Sequence, residues 1–281
     1  MKRYICGESV KGATHERTAM PLQDSKKIIE ISDNITIISV ADGHGSSKCP
    51  LSEYGSKIAV NVFCDVMKKY IENYSESKKA LAGLVSYLNR EGDTRFAQEI
   101  CEEWQARVRR SFDKRKDKKT NYGHLMDGDK VVSWEKVYSL YGTTLLGMLI
   151  TDTFIFSFQI GDGDINIVTA DNIEPLVDPE KFLGTETHSL SKVDAWKKSV
   201  SSIKMKNAKA DLPYLYMLST DGFSNSYKSD EDFKKTCRDY FAMIGQHGFD
   251  AIQENLGRWL KETSELGCGD DITLVMVYFD K

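Results

Sequence analysis

The chain has 281 residues, with 38 basic and 42 acidic side chains and a net charge of −4. That length fills one compact domain or two small ones, and the ordinary apolar content builds a core without disulfide staples. The charge balance gives no whole-protein attraction for nucleic acid or anionic membranes, and no apolar run approaches the roughly 20 residues of a membrane-spanning helix.

The N-terminal Met1-Lys2-Arg3-Tyr4-Ile5-Cys6-Gly7 turns polar too soon for a signal peptide. A soluble, cytoplasmic protein is expected. Residues 35–41 form a β-branched apolar run stopped by Asp42-Gly43, which reads as a buried strand ending in a turn. Ile58, Val62, Phe63, Val66, Met67 and Tyr70 then recur on one helical face. A second helix carries Phe96, Ile100, Trp104, Val108 and Phe112, each four apart, a spacing that indicates core packing rather than a cofactor box. The basic run from Asp113 to Lys119 is interrupted by aspartates and reads as a solvated helix end or loop, followed by loop to about Trp134.

Three closely spaced strands follow, at 143–150, 153–160 and 165–169, joined by Thr151-Asp152 and by Gly161-Asp162-Gly163-Asp164. Connections this short predict antiparallel neighbours, which excludes a doubly wound nucleotide-binding sheet. Residues 171–211 read as a flap-like surface excursion with one short helix near 193–200. A strand at 214–219 ends at Asp221-Gly222, helices are expected at 230–244 and 249–263, and a last strand at 272–279 follows Gly269-Asp270-Asp271.

Four strands therefore begin or end at acidic turns, and Asp24 precedes a further strand at 27–31. A single aspartate at a turn is ordinary turn chemistry. Several at strand ends that converge would repel one another, and divalent cations are the natural compensation. The six cysteines are scattered without a Cys-x-x-Cys pair, and the five histidines never pair at helical spacing. A bound metal must therefore take oxygen ligands, which favours magnesium or manganese over zinc. Asp162-x-Asp164-x-Asn166 opens like a calcium loop but continues with Ile167 where glycine is required. No phosphate-cradling Gly-x-x-x-x-Gly-Lys loop and no Gly-x-Ser-x-Gly elbow is present.

The sequence resembles the type-2C, metal-dependent (PPM) serine/threonine protein phosphatases of bacterial type. The resemblance rests on Gln23-Asp24-Ser25, Val40-Ala41-Asp42-Gly43-His44-Gly45, Tyr141-Gly142-Thr143-Thr144, Ile160-Gly161-Asp162, Ser219-Thr220-Asp221-Gly222 and Gly269-Asp270-Asp271-Ile272-Thr273. These segments occur in family order over almost the whole chain. The resemblance implies an α+β fold, an antiparallel β-sandwich flanked by helices in four αββα layers, and one catalytic domain over 1–281. It implies two Mn2+ or Mg2+ ions per site, with Asp42 bridging them, the Gly43 carbonyl completing one position, and Asp221 with Asp270 holding the second. Asp24 would orient the attacking water, Asp162 with Asp221 would support a weaker third ion, and His44 would protonate the leaving alkoxide.

Departures from the pattern lie around the phosphate. The position five before Asp24, where many members place an arginine, is Ala19, leaving Arg17 or His15 as the phosphate-gripping residue. Asn225 stands where some members have an aspartate, and Asp271 replaces a frequent asparagine, adding negative charge beside Asp270. The expected reaction is hydrolysis of phosphoserine and phosphothreonine on a protein partner, such as a cognate kinase or its target, without a covalent intermediate. The alternative is a pseudophosphatase scaffold, motivated by the missing arginine and Asn225. A nucleic-acid reading would rest on residues 114–119 alone, and no nucleic-acid or membrane partner is expected.

Overall fold

The computed structural model describes residues 2–74, 78–115, 125–126, 131–177, 188–206 and 212–280. In chain order the elements begin with β1 (Lys2–Val10), α1 (Ala13–Arg17), β2 (Ser25–Ser32), β3 (Ile35–Ala41) and α2 (Ser52–Tyr74). Next come α3 (Lys78–Glu91), α4 (Ala97–Arg115), α5 (Trp134–Leu140), β4 (Leu145–Ile150), β5 (Phe154–Ile160) and β6 (Asp164–Val168). The chain continues through β7 (Ile173–Pro175), β8 (Val200–Met205), β9 (Tyr214–Ser219), α6 (Asp221–Ser224), α7 (Asp230–His247), α8 (Phe249–Leu266) and β10 (Ile272–Asp280). Among them, no helix is long and apolar enough to cross a membrane.

The strands form two antiparallel five-stranded sheets, ordered β1-β10-β9-β6-β7 and β2-β3-β4-β5-β8. Side chains alternate between the two faces of each strand, and this alternation builds the layers. In β5, Phe154, Phe156 and Phe158 point into one cluster with Phe63, Phe96 and Trp104 of the α2–α4 layer, while Ile155 points between the sheets. In β10, Leu274, Met276 and Tyr278 meet Leu256 and Leu260 of α8, while Val275, Val277 and Phe279 face Ile38, Val40 and Met148 of the other sheet. Three apolar seams thus separate four layers, helix–sheet–sheet–helix, as the resemblance implies.

Helix α4 carries the expected four-residue stripe from Ile100 to Phe112, with Phe96 in a π-helical turn just before it. Trp104 is fully buried, and its Nε1 donates to the Gly55 carbonyl at 3.1 Å, so the polar edge of the ring is satisfied inside the core. Helix α7 starts where Ser229 Oγ accepts from the Asp232 N–H, with three acids in the first turn.

Two expectations need correction. Strands β4 and β5 form the expected hairpin, but the turn Gly161-Asp162-Gly163-Asp164 does not close a second one. Strand β6 leaves β5 for the other sheet and pairs with β9. Gly161 and Gly163 take φ of +95° and +111°, where a side chain would be strained, and the Gln159 amide donates to both glycine carbonyls at 3.1 Å. The turn is therefore satisfied without a ladder, and Asp162 sits where the chain switches sheets. The 171–211 stretch is also more than a surface excursion. It holds the edge strands β7 and β8, with a 3₁₀ turn at Ala195–Lys198. Ser189, Leu190 and Ser191 are buried, and the Leu190 N–H donates to the Thr143 carbonyl. Residues 178–187 and 207–211 lie outside the described residues, as does the basic run beyond Arg115. Arg115 itself stacks over Tyr54, 3.4 Å from the ring centre.

Candidate metal centre and active site

Strand register brings the acidic turns to one end of the sandwich. Ser25 pairs with Ala41, so Asp24, which precedes β2, and Asp42, which follows β3, are neighbours. Both Asp164 and Leu274 pair with Ser219, which gathers the β6 start, the β10 start and the β9 end, and with them Asp162, Asp270 and Asp221. One carboxylate oxygen each from Asp42, Asp162 and Asp221 lie within 4.8 Å of one another.

The loop carrying Asp42 is clamped by the Tyr141-to-Thr144 segment. The Asp42 N–H donates to Thr144 Oγ1 at 2.9 Å, and its carbonyl accepts from Thr144 N and Thr143 Oγ1, both at 2.8 Å. The His44 N–H donates to the Gly142 carbonyl at 3.1 Å. A Cβ on Gly43 would sit 2.7 Å from the Gln23 carbonyl and 2.8 Å from that of Ser52, so only glycine lets these backbones meet. On the other sheet, Thr220 Oγ1 donates to Asp24 Oδ2 at 2.7 Å and accepts from the Thr273 N–H. Asn225 Nδ2 donates to Asp221 Oδ2 at 2.9 Å.

Electrostatically the cluster is frustrated without counter-charge. Burial, followed by the charges of Asp24, Asp221, Asp270 and Asp162, pushes the Asp42 carboxyl well above the usual range. Burial and then Asp162, Asp270 and Asp164 raise Asp221 to about 7. Asp24 is raised by burial and by Asp271, against the hydroxyls of Thr220 and Thr273. Its Oδ1 is buried with no hydrogen-bond partner among the described residues. An orphaned carboxylate oxygen beside converging acids is the signature of a hard-cation site, so the residues present fit divalent metal. Burial, the leading effect, lowers the His44 pKa, while Asp162 opposes it.

A cleft of about 380 Å3 opens over the cluster, lined by Asp42, His44, Asp270, His15, Thr14 and Gly45 among others. His15 is buried on α1, with Nδ1 2.9 Å from Asp271 Oδ1. Arg17 is exposed, donates to Thr14 Oγ1 at 3.1 Å, and is not among the residues lining the cleft. Asp271 is not a free extra charge beside Asp270. It is 3% exposed and accepts from the N–H groups of Gly12 and Gln23 at 2.6 and 2.7 Å.

The sequence matches the profile of the family described as protein phosphatase 2C over residues 11–261. The chain belongs to the protein phosphatase 2C family. It is accordingly a metal-dependent serine/threonine protein phosphatase. Solved phosphatases share its fold. The serine/threonine phosphatase PstP/Ppp of Mycobacterium tuberculosis aligns over all of both chains at 12% identity and a TM-score of 0.58. That of S. agalactiae aligns over 99% of this chain and 100% of its own, at 14% identity and 0.60. The PstP catalytic domain in complex with two manganese ions aligns over 99% of each chain at 12% identity and 0.56. A search of curated protein sequences found no match. At such identities the structural likeness establishes the fold alone. The profile match ends before Asp270, which lines the cleft beside Asp42 and His44.

Reading the motifs singled out the clustered acids, but not the partners that hold them. Thr220 supports Asp24 through a hydroxyl, and Asp271 binds segments some 250 residues earlier in the chain; neither contact leaves a local pattern.

Proposed function

We propose that the phosphatase removes phosphate from phosphoserine and phosphothreonine of a protein substrate in the cleft that opens over Asp42, Asp221 and Asp270. The observation that carries this reading is the convergence of aspartates from separate strand ends on one buried, self-repelling cluster. Asp42, the Gly43 carbonyl, Asp221 and Asp270 would hold two divalent cations, and Asp162 with Asp221 a weaker third. The all-oxygen donor set favours manganese or magnesium. When bound, such ions lower the pKa of water and neutralise phosphoryl oxygens.

The chain's own residues supply the rest. Asp24, held by Thr220, orients the attacking water from behind the carboxylate cluster. His44, fixed by its backbone bond to Gly142, gives a proton to the serine or threonine oxygen as it leaves, because an alkoxide is a poor leaving group. His15 faces the phosphoryl group, in preference to Arg17, which lies outside the cleft lining. Attack is in line and forms no enzyme-bound phosphate. The pseudophosphatase alternative finds no support, and Asn225, one of the two departures that motivate it, is engaged in holding Asp221.

The test is phosphate release from phosphoserine, phosphothreonine and phosphotyrosine peptides. Release from the first two with manganese or magnesium, abolished by a chelator, is the expected result. No release above background from folded protein with any divalent metal contradicts the proposal.

A further inference from the structure

A second cleft opens between the sheets at the end of the sandwich opposite the acids. Strands β5 and β9 start there, at Phe154 and Tyr214, and end at Ile160 and Ser219 beside Asp162 and Asp221. The cleft holds about 300 Å3, the small end of ligand pockets. Its walls are Ile155, Ile167, Tyr214 and Tyr216, together with Met205, an apolar side chain left 60% exposed. Lys204 and Glu174, from the edge strands β8 and β7 of the two sheets, also line it and neutralise each other at 2.8 Å.

Lys206 is the cation left over in this lining. Its backbone is fixed by donation from its N–H to the Thr153 carbonyl at 2.8 Å. Its Nζ lies 4.0 Å from the ring centre of Phe279 and 5.8 and 6.0 Å from those of Tyr214 and Tyr216. The ring faces balance part of the charge. An ammonium also carries three N–H donors, and among the described residues no acceptor takes them and no carboxylate pairs with the charge. Burial, the leading effect, lowers the Lys206 pKa to about 8, with Asp152 opposing and Arg3 adding to the fall. A bound anion would supply the missing acceptor and counter-charge together.

We propose that this cleft binds a small organic carboxylate with an aromatic or branched apolar tail, its carboxylate accepting from Lys206 Nζ and its tail lying against Ile155, Ile167 and the two tyrosines. Charge and apolar area select the ligand jointly. A bare anion gains nothing from the walls, and a neutral tail leaves the ammonium without its partner. The site is separate from the cleft over Asp42 and does not depend on the phosphatase reading.

The experiment titrates hydrocinnamate, its neutral amide hydrocinnamide and inorganic phosphate into the full chain with methyl-labelled isoleucine and methionine, followed by NMR. Hydrocinnamate should shift the methyls of Ile155, Ile167 and Met205 saturably, with a dissociation constant of about 1 mM or tighter, as a fragment of this size allows. The methyl of Ile160, beside the acidic turns, should stay in place. Hydrocinnamide should bind about tenfold more weakly, the worth of a charge-assisted hydrogen bond, and phosphate should leave the three methyls unmoved. Lys206→Met keeps the apolar stem and should lower hydrocinnamate affinity to that of the amide, while the affinity for the amide changes less than twofold.

No saturable shift with hydrocinnamate, equal binding of acid and amide, or shifts centred on Ile160 would each overturn the proposal. Phosphate moving the same methyls would overturn the role of the tail, and undiminished hydrocinnamate binding in Lys206→Met would overturn that of the lysine. If Lys206→Met does not fold, the comparison of acid with amide on the wild type still decides.

Discussion

Replacing Asp221 by asparagine should abolish turnover yet make the metal-free protein more stable. The carboxyl titrates at about 7 in the fold against an ordinary value of 3.8. A folded-state pKa raised above the unfolded one contributes stability that is complete below about pH 4 and is lost as pH rises through about 7. At pH 7.5 an ionised Asp221 therefore costs the metal-free fold about 4 kcal/mol, at 1.36 kcal/mol per pH unit. An asparagine keeps an acceptor for Asn225 or Gly222 and forfeits about 1 kcal/mol of hydrogen bonding. The net gain is about 3 kcal/mol, or about 6 °C in Tm for a chain of this size. The assay is calorimetric melting in chelator from pH 4.5 to 8. The gain should shrink toward zero at the acidic end, and manganese should raise the wild-type Tm by more than that of the variant. A variant no more stable than wild type at pH 7.5, or a gain that does not depend on pH, refutes the electrostatic reasoning.

His44→Ala should reduce kcat for a phosphothreonine peptide by about 10²–10⁴ but spare p-nitrophenyl phosphate, whose leaving group needs no proton; equal losses on both substrates would remove the general-acid role. Thr220→Val deletes the hydroxyl that joins Asp24 to the Thr273 N–H, and melting should show a loss of about 1–3 kcal/mol. Gly55→Ala would place a Cβ 1.9 Å from the Tyr141 carbonyl oxygen, against backbone that cannot step aside. Chemical denaturation should show it destabilised by about 1–3 kcal/mol or more, and a neutral effect would mean that α2 and the Tyr141 turn are not in contact as described.

The parts of the fold that the sequence displays are those buried on both faces. Residues 35–41, 154–160, 214–219 and 272–279 are mostly apolar and buried because helices cover one side of each strand and the opposite sheet covers the other. Strand β8 (Val-Ser-Ser-Ile-Lys-Met) is a sheet edge whose order comes from pairing with β5, so its polar composition hides it. Strand β1 is legible only through its full-length pairing with β10. The β5–β6 turn is short enough for a hairpin, and only its long-range pairing with β9 distinguishes a change of sheet. At the site, the acids were legible as motifs because each sits at a strand end. Asp271 was legible only as charge, since the N–H groups that bind it belong to Gly12 and Gln23, far away in the chain.

Anomalous diffraction from a crystal soaked in millimolar manganese shows whether the converging aspartates hold divalent ions. At least two manganese peaks are expected among Asp42, Asp221 and Asp270, with a weaker one toward Asp162. A cleft without anomalous signal, or peaks held by other residues, would contradict that expectation.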